Sequence, residues 1–279
     1  GLSPVGEFLA LTARLKGETD RNVWTALLAS LAYLNRVITP DDRPLMEALV
    51  RDRLGPTVAR LGFAPAPGEN ELTRQLRGEL LRAMGTLGND AAVQARARDL
   101  CVGFRDDPSA ADPNVLAALI AVLAHAGGEA EYVEFLGKFK RAQTPQEEQR
   151  YLYSLAGFRD AALLRKTLHL TVNGEVRTQD APYLVRSLLM SVHARELAWQ
   201  FVKEHWEPME RQYPLGGLRR MCEGITALAT PALETDVREF FTSRNISLGG
   251  KTLEQYLEQL RIAGAFRERE AVGLATSLS

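Results

Sequence analysis

The sequence predicts an all-α protein, a superhelical α-solenoid of about seven antiparallel HEAT-like helix pairs. Three observations carry this. Apolar residues recur at three- and four-residue steps almost throughout the 279 residues, the spacing of one buried stripe along a helix. Proline follows a capping side chain at several places, where its missing N–H costs nothing. Helical repeats of this kind take ~40 residues per pair, so this length holds about seven. No shared repeat signature is visible, so the prediction rests on helix lengths and short turns.

The elements follow in order. Val23, Leu27, Leu28, Leu31 and Leu34 give the first clear stripe, and Leu45, Leu49, Val50 and Leu54 the next. Leu76, Leu80, Met84 and Leu87 repeat it, then Leu116, Leu119, Ile120 and Leu123, then Leu184, Leu188 and Leu189. Leu253, Tyr256, Leu257 and Leu260 close the series. Starts are expected at Thr39-Pro40, Asp107-Pro108, Asp112-Pro113, Thr144-Pro145 and Thr230-Pro231. Thr144-Pro145-Gln146-Glu147 adds a capping-box glutamate. Stops are expected at Gly62, Gly88, Gly127-Gly128, Gly157 and Gly249-Gly250. Roughly fourteen to sixteen short helices result, joined by connections of no more than about ten residues. The alternation around Asn173-Gly174 has the form of a hairpin signal. A lone hairpin is marginal, so a helix from Ala161 to about Leu170 with a turn at Asn173-Gly174 is expected instead.

Composition excludes several classes. Thirty-four basic residues against 35 acidic ones leave a net charge of −1, without the positive surplus that nucleic acid or an anionic membrane surface requires. The 46% hydrophobic and 25% charged fractions are those of an ordinary soluble globular protein. No apolar run approaches the ~18 residues of a membrane span. Arg greatly outnumbers Lys, which reads as a GC-rich, bacterial coding bias; the parent's compartment, cytoplasmic or exported, is left open. The chain begins at Gly1 rather than Met and is expected to be a piece of a longer protein.

Chemistry is sparse. His125, His169, His193 and His205 are never within four residues of one another, so no H-E-x-x-H zinc pattern exists. His193 with Glu196 reads as a solvated helix face and His205-Trp206-Glu207 as a helix end. Cys101 and Cys222 sit among apolar neighbours and read as buried structural thiols. Glu147 and Glu148 point about 100° apart on a helix and cannot converge on one atom. Trp199, Phe201 and Trp206 form a dense aromatic segment read as packing between helices. No catalytic or metal residue is predicted, and no substrate-binding residue is assigned. Arg165, Arg186 and Arg195 are named as groups able to meet a peptide carboxylate, with solvated helix faces as the competing reading.

That aromatic segment carries a resemblance. Gln179-Asp180, then Leu197-Ala198-Trp199-x-Phe201 and Trp206, resembles the C-terminal helical domain of the aminopeptidase N-type zinc metallopeptidases. This family includes the endoplasmic-reticulum and insulin-regulated aminopeptidases. Collinear pieces agree: Glu18-Thr19-Asp20-Arg21-Asn22-Val23-Trp24, Leu76 to Leu81 with Gly88-Asn89-Asp90, Asp236-Val237-x-x-Phe240-Phe241, and Leu253-x-x-x-Leu257-Glu258-x-x-Arg261. Phe266 stands where the family usually has tryptophan. The resemblance implies that residues 1–279 are a single C-terminal domain, inert alone. It implies a bowl-shaped superhelix capping the catalytic domain, shaping peptide access and touching the distal parts of peptides. Zinc and the catalytic signatures would belong to that upstream domain, and in several members this domain also carries the dimer contact. A free-standing helical scaffold for protein partners is the alternative, and an all-α enzyme with an unrecognised site a third.

Overall fold

The computed structural model describes residues 4–104 and 111–278. All regular structure among them is helical. Fifteen α-helices run in the order α1 Val5–Thr12, α2 Arg21–Val37, α3 Arg43–Leu61, α4 Glu71–Thr86, α5 Ala91–Gly103, α6 Pro113–Ala126, α7 Glu129–Arg141, α8 Pro145–Ser154, α9 Ala161–Leu170, α10 Ala181–Met190, α11 Arg195–Glu204, α12 Trp206–Gln212, α13 Leu215–Cys222, α14 Pro231–Ser243 and α15 Thr252–Leu278. Single turns of 3-10 helix occupy Ala13–Leu15, Leu155–Gly157 and Glu223–Ala227. The fold is an all-α solenoid of short helices joined by short turns. The chain divides into two compact units, Gly1–Gly127 with Glu270–Ser279, and Gly128–Arg269.

Side-chain oxygens start seven of the fifteen described helices. Asp20, Asn70, Asp90, Asp112 and Asp160 accept N–H groups of the first turns of α2, α4, α5, α6 and α9. Thr144 and Thr230 do the same for α8 and α14, as their Thr-Pro pairs predict. The capping box at α8 is displaced by one residue: Glu147 accepts the N–H of Gln143 at 3.0 Å rather than that of Thr144. Thr39-Pro40 does not start a helix. Its hydroxyl donates to the Asp42 carboxylate at 2.6 Å, forming a turn that delivers the chain to α3, which begins at Arg43. Asp107-Pro108 lies outside the described residues.

Stops also differ from expectation. Gly62 caps α3 with φ +62°, as predicted. After α4 the left-handed residue is Asn89 (φ +45°) rather than Gly88; after α14 Asn245 (φ +50°) is left-handed first, and Gly249 (φ +76°) and Gly250 (φ +58°) are left-handed in the later turn that leads into α15. Asparagine tolerates this region because its short amide hydrogen-bonds locally. Asn173-Gly174 belongs to the turn after α9, and no strand forms there.

In the first unit α3 and α4 are antiparallel. Arg77 Nε donates to Leu61 O at 3.2 Å, while Arg51 Nη1 donates to Gly88 O at 2.6 Å near the opposite ends. α4 and α6 run parallel and very close. A Cβ on Gly78 would sit 2.6 Å from Asn114 O, and one on Gly85 would sit 2.5 Å from a Val122 methyl. Seven residues along one helix thus match about eight along the other, two turns in the same direction. Glu270 of α15 accepts the Val5 N–H at 3.0 Å.

In the second unit α10 and α13 repeat the parallel arrangement. Gly217 meets Pro182, and Gly224 meets Leu189 one unit of seven later on both elements. The aromatic segment is core, as predicted: Trp199 and Trp206 lie against Phe240 and Phe241 of α14 at ring separations of 5.2–6.1 Å. Trp199 Nε1 donates to Asp236 at 2.7 Å, whereas the buried Trp206 Nε1 has no acceptor. Tyr132, Phe135 and Phe158 form a second aromatic group with Tyr151.

Two stripes are rotated from the predicted phase. On α2 the buried face is Trp24, Leu27, Leu31, Leu34 and Val37, and Val23 is exposed. On α3 it is Met46, Val50, Leu54 and Thr57, with Leu45 and Leu49 half-buried. Cys222 is buried as expected, and burial pushes its thiol well up. Cys101 is only half-buried, and the apolar Val102 beside it is 63% exposed.

Three outcomes are expected. Gly78→Ala forces a methyl into a backbone carbonyl and costs about 2 kcal/mol in urea unfolding, while Gly216→Ala, with open space around it, is neutral or better. Trp199→Phe costs about 1–2 kcal/mol more than Trp206→Phe, since only the former breaks a hydrogen bond. For Asp112, burial raises the carboxyl but the Val115 N–H, Arg74 and the Asn114 N–H more than offset it and hold it below its ordinary 3.8. A carboxyl lowered in the folded state stabilises fully above that value and loses its contribution as pH falls below it. Asp112→Asn therefore flattens the fall in stability on acidification below pH 3.8, read from urea midpoints against pH.

Candidate functional site

The solenoid register brings together side chains far apart in sequence. In the second unit Arg186 of α10 makes a two-pronged pair with Glu223, Nε at 3.0 Å and Nη2 at 2.9 Å. Arg220 of α13 joins the same carboxylate at 2.8 Å. Hydrogen bonding from Arg186 is the largest influence on Glu223 and, with Arg220, holds its carboxyl below the ordinary range despite burial. Two guanidiniums share one carboxylate, so the cluster keeps a net positive charge.

Three phenols flank it. Tyr183 of α10 is 44% exposed and lies beside Arg220. Tyr153 of α8 is pushed up to about 12 by burial, with Asp180 and Tyr183 adding to the rise. Tyr256 of α15 is raised mainly by burial, then by Glu223, against the opposing charges of Arg220 and Arg186. The result is a partly exposed face of phenols and guanidiniums drawn from α8, α10, α13 and α15. Its chemistry is contact with polar and anionic groups: guanidiniums offer fixed forks of N–H donors, and phenols offer flat amphipathic area.

Of the three arginines named from sequence, only Arg186 falls on this face. Arg165 is exposed on α9. Arg195 is 6% exposed and donates to Ala227 O at 3.2 Å, which ties α11 to the 3-10 turn Glu223–Ala227. Such a buried group holds the fold rather than meeting a ligand. Tyr153, Tyr183 and Arg220 carry no signal in the sequence beyond a Tyr or Arg on a short helix, which many solvated helices share, and Tyr256 is read there only as a member of the last apolar stripe.

Sequence spacing also missed a pair of imidazoles. His169 ends α9 and His205 joins α11 to α12, yet their rings are 6.1 Å apart with Phe201 against both. His205 Nδ1 donates to Phe201 O at 3.0 Å, the helix-end role expected of it. His193 is exposed in the turn before α11 rather than on a helix face. Glu147 caps α8 and Glu148 pairs with Arg177 at 2.8 Å, two separate tasks. Among the described residues no three His, Cys, Asp or Glu side chains converge as metal ligands. None of the described helices is long and apolar enough to cross a membrane.

Residues 1–262 match the family model described as the ERAP1-like C-terminal domain. Aminopeptidase M1-A of Oryza sativa subsp. japonica is 29% identical over 94% of this chain and 30% of its own length. Aminopeptidase M1 of Arabidopsis thaliana is 28% identical over 92% of this chain and 30% of its length. Glutamyl aminopeptidase of Mus musculus is 24% identical over 91% and 27%. The chain therefore spans under a third of these relatives. They are plant and mammalian proteins and lend no support to the bacterial origin expected from composition. The helical architecture agrees with the family match: the chain belongs to the ERAP1-like C-terminal domain family, the C-terminal part of aminopeptidases.

Proposed function

We propose that residues 1–279 are the C-terminal helical domain of a zinc-dependent aminopeptidase that removes N-terminal residues from peptides. In this reading the domain caps the active-site chamber and helps set which peptides reach it. The observation that carries the proposal is the family match over residues 1–262, in a chain covering under a third of its aminopeptidase relatives. In this reading the zinc and its chemistry belong to the upstream catalytic region, as the family resemblance implies. The partners are that region of the same polypeptide and the distal parts of peptide substrates; a homodimer is also compatible with the family.

A cap needs no catalytic side chain to affect rate. Closing a site removes bulk water and strengthens the electrostatics inside it. A solenoid suits the task because each helix pair touches mainly its neighbours, so the stack flexes without breaking its core. The face of Tyr153, Tyr183, Arg186, Arg220 and Tyr256 supplies polar contacts for a peptide reaching beyond the reacting bond.

The test is kinetic, in the full aminopeptidase. Arg186→Ala with Arg220→Ala raises KM for long peptides by about 3–10-fold, while a single-residue chromogenic substrate, too short to reach this face, changes by less than about twofold. Equal effects on both substrates, or none on long peptides, overturn the assignment of this face. A separate measurement addresses the domain: the 279-residue chain alone hydrolyses no aminoacyl chromogenic substrate with zinc supplied, and turnover would refute the reading.

A further inference from the structure

The turn between α9 and α10 contains Asn173-Gly174, the one Asn-Gly pair in the sequence. Both residues are exposed, and Gly174 adopts φ +87° with open space where a side chain would sit. The turn is otherwise well anchored. The N–H groups of Val172 and Asn173 bond to His169 O, the Val176 N–H bonds to Leu170 O, and Val176 itself is buried. Within residues 171–176 the Gly174 N–H alone has no acceptor among the described hydrogen bonds.

The Asn173 amide is held beside it. Its Oδ1 accepts the Glu175 N–H at 3.0 Å, and its Nδ2 donates to Glu175 Oε1 at 2.7 Å. Glu175 is itself paired with Lys140 of α7. Each feature has a chemical consequence. A backbone N–H without an acceptor is free to lose its proton to solvent. An N–H donated to Oδ1 polarises the carbonyl and stabilises negative charge developing on that oxygen. The absence of a Cβ on Gly174 leaves the approach unhindered.

We infer that Asn173 is a site of spontaneous deamidation in the folded protein. The Gly174 nitrogen attacks Asn173 Cγ, forming the N–Cγ bond of a five-membered succinimide. The Cγ–Nδ2 bond then breaks, and ammonia leaves with the proton that Gly174 gave up, carried through water. Water next opens either carbonyl of the ring, giving aspartate or isoaspartate. No electrons are exchanged. The product places a second carboxylate two residues from Glu175 and removes one of that residue's donors; the isoaspartate form also lengthens the backbone between α9 and α10. This modification is independent of the aminopeptidase reading.

The test incubates the folded 279-residue chain in mildly alkaline buffer at body temperature, beside a synthetic peptide of residues 167–177. Samples are digested with trypsin, and the 167–177 fragment is read for a gain of about 1 Da and for isoaspartate by enzymatic methylation. Conversion in the folded chain within about tenfold of the free peptide's rate is the expected result. It is absent in Asn173→Gln, whose longer side chain would need a larger ring. Conversion more than about tenfold slower than in the peptide overturns the inference, because the fold would then protect Asn173. Isoaspartate confined to other asparagines overturns it equally.

Discussion

Helices shorter than about 12–15 residues are marginal in water even with favourable sequences. Most of those described here are 7–14 residues long, so each depends on burying its apolar stripe against another. That dependence explains where the chain uses its smallest residues. Gly78 and Gly85 let α4 approach α6 until backbone and side chain touch, and Gly217 and Gly224 do the same beside α10. Parallel α4 and α6, bound at close range, leave the intervening α5 to return antiparallel. A tightly packed row of this kind transmits register, because one fixed contact sets the height of every side chain along both helices.

Much of this was legible in the sequence. Asp112-Pro113, Thr144-Pro145 and Thr230-Pro231 start helices because a capping oxygen and a proline satisfy the same local geometry, whatever surrounds them. Helical phase was less secure. In α2 the apolar residues Val23, Trp24, Leu27 and Leu28 permit two stripes, and the buried one contains the larger Trp24, whose indole N–H also bonds to Glu18 O at 3.0 Å. Stops fared worst at Gly88 and Gly249-Gly250. Asn89, next to Gly88, takes the left-handed position after α4, and Asn245 takes the one nearest the end of α14, so that the left-handed Gly249-Gly250 serve the later turn.

The residues that carried the family resemblance turn out to be fasteners. Asp20 and Asp90 are caps, Asn89 ends a helix, and Trp199 with Asp236 joins α11 to α14. They specify an architecture without specifying a chemistry. The candidate face has the opposite character. Tyr153, Tyr183, Arg186, Arg220, Glu223 and Tyr256 span more than a hundred residues and meet only because four helices share a register. No spacing rule applied to the sequence could assemble them, since tertiary packing decides which helices meet, as where Gly217 lets α13 lie against Pro182 of α10.

The shared carboxylate gives that face a definite physical character. Had Glu223 met one arginine, the pair would be neutral and largely satisfied. With Arg186 forked onto it and Arg220 drawing on the same oxygen, donors remain unused on both guanidiniums. Because Glu223 already positions both arginines, an incoming anionic or carbonyl group meets donors whose rotamers are largely fixed, and the entropy of ordering them is not spent at that moment. Yet Arg220 remains half-exposed, so any such contact is partly screened by water and stays reversible. For a domain proposed to admit peptides and then release them, weak preorganised contacts serve better than a deep pocket, since tight uniform binding would slow release without helping the chemical step.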